Sequence, residues 1–436
     1  MKKYLPLLLV LLGISISGET RAQFGKLKDK IKQKVEQRAD QKTDKAIDKS
    51  LDEVEAATKK KSETEEGEIK EKKDGDGSKT KIETKGPGIK AYSKYDFVPG
   101  DKIVYAEDFS QDVVGEFPLK WNTNGSGEIV TIEGQPGKWL SMTANTKYES
   151  PYANKLPPNY TIEFDLLLDF KESMRVPDME FNIFDKRAEK ASYRPEMRLF
   201  IGPQAGTYGS ANAQNTIDRF RLVTFDDKSK EFLRSNDQLI GELYNNKRKP
   251  VHFAFWVQKE RVRIWVNQVK IFDLPKALSP GVELSAFEIE TGSYGADHEN
   301  YQYYISNLKV AVANPDTRSK LITEGKWSTT GILFDVNSDK IKPTSYGVLK
   351  EIAATLSENA DVKVKIIGHT DSDGDDAKNL DLSKRRAAAV KIILASEFGI
   401  DASRMETDGM GESKPVGDNK TAEGKAQNRR VEFIKL

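Results

Sequence analysis

The sequence predicts a multidomain protein with three kinds of folded material: an N-terminal helical segment, an all-β sandwich, and a C-terminal α+β unit of order βαβαββ. Three observations lead there. Between Phe24 and Lys61 apolar residues recur every three or four positions in a heavily charged stretch. From about Tyr92 to Asn314 short runs alternate apolar and polar residues between turn signals. From Gly331 to Leu436 strand patterns and helix patterns take turns. At 436 residues the chain also exceeds what one ordinary core organises.

Composition removes several functions. Lys+Arg number 69 against 68 Asp+Glu, so no global field favours nucleic acid or an anionic membrane surface. There is no cysteine, which excludes disulfides, thiolate metal sites, cysteine nucleophiles and a lipid-modified N-terminal cysteine.

In chain order, 1–22 reads as a signal peptide. Lys2 and Lys3 precede the apolar run Leu5–Ile16, and Thr20-Arg-Ala22 offers a small residue for cleavage, so the mature chain is expected near Gln23. The next stretch, 23–61, carries Phe24, Leu27, Ile31, Val35, Ala39, Ile47, Leu51 and Val54 on a narrow helical stripe. Such a stripe could self-associate as a coiled coil, lie on a partner protein or a membrane interface, or simply space the domains from the N-terminus. Residues 62–90 are Lys, Glu, Gly, Ser and Thr with almost no large apolar side chains, a composition for a flexible linker.

The sandwich is expected over 91–314. Ile162, Phe164, Leu166 and Leu168 share one face of Tyr160–Leu168. His252–Val257, Arg261–Val266 and Val269–Phe272 read as successive hairpin strands, and Tyr303–Val310 as a closing strand. The opening Glu107-Asp-Phe-Ser-Gln-Asp112, with Pro118 and Trp121, is similar to the first strands of laminin-G or concanavalin-like jelly rolls. That resemblance leaves a carbohydrate or protein ligand open for this region.

A connector, 315–330, leads into the C-terminal unit, 331–436. Ile332-Leu-Phe334 reads as a strand, and Pro343 opens a helix with Leu349, Ile352, Ala353 and Leu356 on one face. Val362–Ile367 is the next strand. A helix over about Leu380–Phe398 follows, with Val390, Ile393 and Leu394 inward and Gly399 as its stop. Met405–Gly409 and Arg430–Ile434 complete the set.

This unit carries the chemistry. Asp371 ends a strand, and Asn379, Ser383 and Arg386 share a helix face. Arg386 could hold a carboxylate with two parallel hydrogen bonds, helped by nearby helix N–H groups, while Asp371 accepts from an ammonium. From spacing alone, an ordinary surface ion pair is the plainer reading. The motifs Val364-Lys-Ile-Ile-Gly-His-Thr-Asp371, Asn379-Leu-Asp-Leu-Ser-Lys-Arg-Arg386, Asn419-Lys-Thr421 and Asn428-Arg-Arg-Val431 stand in one order. Together they resemble the OmpA-like peptidoglycan-binding domain, also found in Pal lipoproteins and flagellar motor stator proteins. The resemblance implies the diaminopimelate side chain of a peptidoglycan stem peptide as ligand. It implies Asp371 and Arg386 as the clamp, Asn379 and Thr370 lining the cleft, and Asp335 and Arg429 as further contributors. Asn428-Arg-Arg-Val431 is expected to be mainly structural.

Two departures stand out. The loop Asp371-Ser-Asp-Gly-Asp-Asp376 is unusually acidic, and Arg385 doubles the basic charge beside Arg386. An EF-hand reading fails, because Leu382 sits where the glutamate belongs. No cofactor and no metal are expected.

For catalysis the one candidate is the row Glu163, Asp165 and Asp169 on a sandwich strand. Its spacing is looser than glycan hydrolases use, and a solvated outer face explains it, as it does Glu288 and Glu290. No catalytic residue is assigned. The chain is expected to be an exported, non-enzymatic envelope protein, periplasmic or outer-membrane-associated, that tethers the outer membrane or an envelope assembly to peptidoglycan. The alternative is a glycan-binding or glycan-hydrolysing sandwich localised to the wall by its C-terminal unit.

Overall fold

A computed structural model describes residues 95–171, 174–188, 194–203, 217–292, 301–313 and 318–436, which fall in one compact unit. The signal peptide, helix and linker expected over 1–90 lie outside the described residues. Among those described, no helix is long and apolar enough to cross a membrane.

Among the described residues, the middle region is two antiparallel sheets of eight strands each. The first runs Val269–Leu274, Arg261–Val266, Val251–Gln258, Asn159–Asp169, Gln302–Val312, Trp139–Met142 and Gly127–Val130, with Lys102–Glu107 also paired to Gln302–Val312. The expected hairpins form. Lys259 and Asn267, at φ 53° and 52°, supply the left-handed residues their tight turns need. The second sheet is centred on Met179–Phe184, between Glu196–Pro203 and Ala286–Thr291. Alternation drives the packing: Ile162, Phe164, Leu166 and Leu168 all point into the core between the sheets. Phe164 lies 4.6 Å from Phe181 and 5.5 Å from Phe287, across the two sheets, and stacks on Phe253 at 5.1 Å.

The other face of Asn159–Asp169 corrects an expectation. Glu163 is only 3% exposed and Thr161 1%, so this is no solvated outer face. The segment 95–100 covers it, with Gly100 N–H donating to Thr161 Oγ1 at 3.0 Å.

The C-terminal sheet has the order Lys326–Thr329, Val431–Lys435, Val364–Gly368, Met405–Gly409, and only the last pair is parallel. The edge strand is therefore Lys326–Thr329, inside the stretch read as a connector, while Ile332–Phe334 contributes only the bridge between Phe334 and Ile341. The reason is packing: Trp327 is buried against Phe433, and one inward tryptophan in four residues gives no alternation to read. A short helix, Ala422–Asn428, also stands before the last strand, so the order is βαβαβαβ rather than βαβαββ. Its sequence carries no apolar stripe, and Thr421 caps it by accepting from Gly424 N–H at 3.0 Å.

The helix Tyr346–Glu358 buries Leu349, Ile352, Ala353 and Leu356 as expected. The helix Asp376–Ser396 begins four residues before the predicted Leu380, because the Asp375 carboxylate caps it. Gly399, at φ 71°, ends the run as Ile400 N–H returns to the Leu394 carbonyl.

Sandwich and C-terminal sheet meet along Lys102–Glu107. Gln427 Nε2 donates to the Ile103 carbonyl at 2.9 Å, Lys320 pairs with Asp101, and Ala422 and Ala426 pack on Ile103, Ala106 and Ala311.

Candidate functional site

Two glycines set the site's depth. A side chain at Gly368 would meet the Ser383 carbonyl at 2.2 Å, and one at Gly409 the Lys384 amide at 2.3 Å. Their absence lets the helix Asp376–Ser396 press onto both strands and brings the carboxyl end of Val364–Gly368 beside the face of Arg386. Ser383, fully buried, ties the layers by accepting from Gly411 N–H at 2.9 Å.

Asp371 is buried and pairs with Arg429, Oδ2 to Nη1 at 2.5 Å, so this further contributor touches the clamp carboxylate itself. Arg386 belongs to the third turn of its helix, away from the N-terminal amides, because the helix starts at Asp376. Its Nε donates to the Ser338 carbonyl at 3.0 Å and its guanidinium sits 4.8 Å over the Phe334 ring. Among the described residues no carboxylate pairs with it. Burial, then the nearby Arg385, pushes its pKa down to about 10. Arg385 itself is engaged by Asp381 at 2.8 Å, so its charge is not spare.

Thr370 is buried, and its hydroxyl has no hydrogen-bond partner among the described residues. Asn379 is buried too, but its amide N–H groups hold the loop: they reach Glu412 at 2.7 Å and the Asp373 carbonyl at 3.1 Å. Asp335 is half-buried and paired with Lys340 at 3.2 Å. The acidic loop is likewise engaged, with Asp373 on Lys425 and Asp375 on the Lys378 amide. Asn428 and Arg430 are buried braces: Asn428 accepts from Val416 and Gly417 N–H, and Arg430 binds Glu432. Phe334 and the Ser338 carbonyl, which seat Arg386, were missed. Phe334 directly precedes Asp335 and was read only as strand.

Phe334, Asp335, Thr370, Asp371, Asn379, Arg386 and Arg429 line one side of a cleft of about 2190 Å³. The sandwich lines the other with Asp165, His252, Asn307 and Lys309. There Lys309 Nζ lies 2.9 Å from Glu163, and His252 Nδ1 is 2.8 Å from Asp165. Burial would raise both carboxyls, but Lys309 and His252 outweigh it for Glu163, and His252 and Asn307 for Asp165; both end below the ordinary range. Burial likewise opposes the charged imidazole, yet the two carboxylates lift His252 to about 9. Ionised, paired carboxylates lack the raised pKa of a general acid, which argues against glycan hydrolysis here.

Residues 333–429 match the OmpA family. The outer-membrane lipoprotein YfiB of Pseudomonas aeruginosa is 37% identical over 166 residues, covering 37% of this chain and 97% of that protein. Outer membrane porin F of the same organism is 46% identical over 101 residues, 23% of this chain, and the chain spans only 29% of the porin's length. Among solved structures, the peptidoglycan-associated lipoprotein from Burkholderia pseudomallei is 30% identical, with 25% of this chain and 89% of that one covered and a TM-score of 0.23. The chain belongs to the OmpA family, through this C-terminal region.

Proposed function

We propose that this is a cell-envelope protein, periplasmic or associated with the outer membrane, that binds peptidoglycan non-covalently and tethers an envelope structure to the wall. The ligand is the diaminopimelate head of a stem peptide, which carries an ammonium and a carboxylate on one carbon. Arg386 takes the carboxylate through its two free edge N–H groups, and Asp371 takes the ammonium while Arg429 steadies it. The Thr370 hydroxyl adds one hydrogen bond, and Asn379 holds the loop that carries Asp371. Asp335 borders the same cleft.

One observation carries this reading: a half-buried guanidinium to which no carboxylate is paired among the described residues, beside a carboxylate that already has a partner. An unpaired cation in a partly desolvated cleft is costly, and an incoming carboxylate removes the cost. The names of the relatives, an outer-membrane lipoprotein and a peptidoglycan-associated lipoprotein, support the same wall-facing role. The test is co-sedimentation of the purified chain with isolated diaminopimelate-type peptidoglycan, beside Asp371→Ala and Arg386→Ala. Wild type should pellet with the wall while both folded variants stay in solution. Equal pelleting of all three would refute the clamp.

A further inference from the structure

The cleft is larger than the ligand head it is proposed to hold. Small-molecule sites enclose about 300–1,000 Å³, whereas this one measures about 2190 Å³ and is bounded by two domains. Its far wall is the sandwich sheet. Asn307 is exposed at the rim, in the left-handed conformation at φ 56°, with its amide Nδ2 donating to Asp165 at 2.8 Å. Lys309 lies two residues further along the same strand, and His252 lies opposite on Val251–Gln258. The two walls are held together by the Gln427 and Lys320 contacts and by the helix Ala422–Asn428, so their separation is built into the fold.

The lining also says what kind of ligand would fit. Acids such as Asp96, Asp165 and Asp371 face bases such as Lys270, Lys309 and Arg386, and most are already paired. Such a lining does not select for a strong anion. Gln268 adds a side-chain amide, and Asn246 and Asn307, whose amide nitrogens are held by Glu242 and Asp165, present amide oxygens as acceptors, groups that read peptide bonds and sugar hydroxyls.

We propose that the sandwich is the second wall of the peptidoglycan site: it contacts the stem-peptide and sugar atoms beyond the diaminopimelate head, with Asn307 at the point of entry. This rests on the clamp reading above. The same wall material would then be read twice, once by charge at Asp371 and Arg386 and once by amide and hydroxyl contacts on the sandwich.

The experiment compares two soluble probes on the full chain by calorimetry: free meso-diaminopimelate and a disaccharide-tetrapeptide fragment of the wall. Wild type should bind the fragment at least tenfold more tightly than the free amino acid. Asn307→Gly keeps the left-handed backbone and removes the amide together with its bond to Asp165, and it should shrink that ratio severalfold while free diaminopimelate still binds. His252→Gln provides a second probe of the same wall. Equal affinity of wild type for both probes, or a ratio unmoved by both variants, would overturn the second wall and leave the clamp standing. If wild type bound neither probe, the clamp itself would be refuted, and this inference with it.

Discussion

Asp371 and Arg429 are joined at 2.5 Å, while Arg386, reaching the same cleft from another helix, has no carboxylate of its own. The site therefore holds two guanidiniums for one carboxylate. A zwitterion leaves that net charge unchanged but gives Arg386 the carboxylate partner it lacks, while its ammonium shares Asp371.

That imbalance separates binding from stability. Arg386→Met should raise the stability of the free protein by about 1 kcal/mol, because it removes an uncompensated charge and keeps the packing on Phe334. The same change should abolish pelleting with peptidoglycan. Thermal melts and co-sedimentation on one preparation check both halves.

Replacing Arg386 by Lys keeps the charge and loses the planar fork. Affinity for diaminopimelate should fall about tenfold, and the remaining binding should weaken further as salt is raised, since a point charge lacks the bidentate geometry. Arg429→Ala, which only loosens Asp371, should cost about fivefold. Titration calorimetry at two salt concentrations distinguishes them.

Gly368→Ala should destabilise the C-terminal unit by about 2 kcal/mol or more, because the new methyl group lies 2.2 Å from the Ser383 carbonyl, where backbone must move. The matching control is Gly374→Ala. It has open space around it and pays only for a positive φ of 105°, so its effect should fall mainly on the loop. Denaturant midpoints give the order.

His252 predicts a pH dependence with a definite sign. Its folded pKa, about 9, is above the ordinary 6.5, so its contribution is complete below about pH 6.5 and lost as pH rises through 9. Glu163 and Asp165, held low, act the other way and lose theirs only in acid. The melting temperature of wild type should decline between pH 6.5 and 9.5, and the decline should be shallower in His252→Gln.

How much of this was legible depended on whether the pattern was local. The hairpins around Lys259 and Asn267 and the inward face of Ile162–Leu168 followed from period and turn chemistry alone. Asp371, Arg386, Asn379 and Thr370 were placed near one another by motif order. What escaped depended on tertiary contact. Glu163 and Asp165 look like solvent-facing residues until residues 95–100 cover this face and His252 and Lys309 close over the carboxylates. Arg429 reads as a further contributor to the cleft, and only the fold pairs it with Asp371. Lys326–Thr329 is too short to announce itself without Phe433 alongside.

Residues 97–106 are stitched to the C-terminal unit almost position by position: Phe97 against Gly347, Pro99 against Gly331, Asp101 to Lys320, Ile103 to Gln427 and Ala106 to Glu423. A pull entering the folded unit from its N-terminal side is thus borne first by this seam, before the core between the sheets feels it. The seam ends on the short helix whose last turn leads directly into Arg429. Load carried along it would therefore reach the helix that places Arg429 beside Asp371.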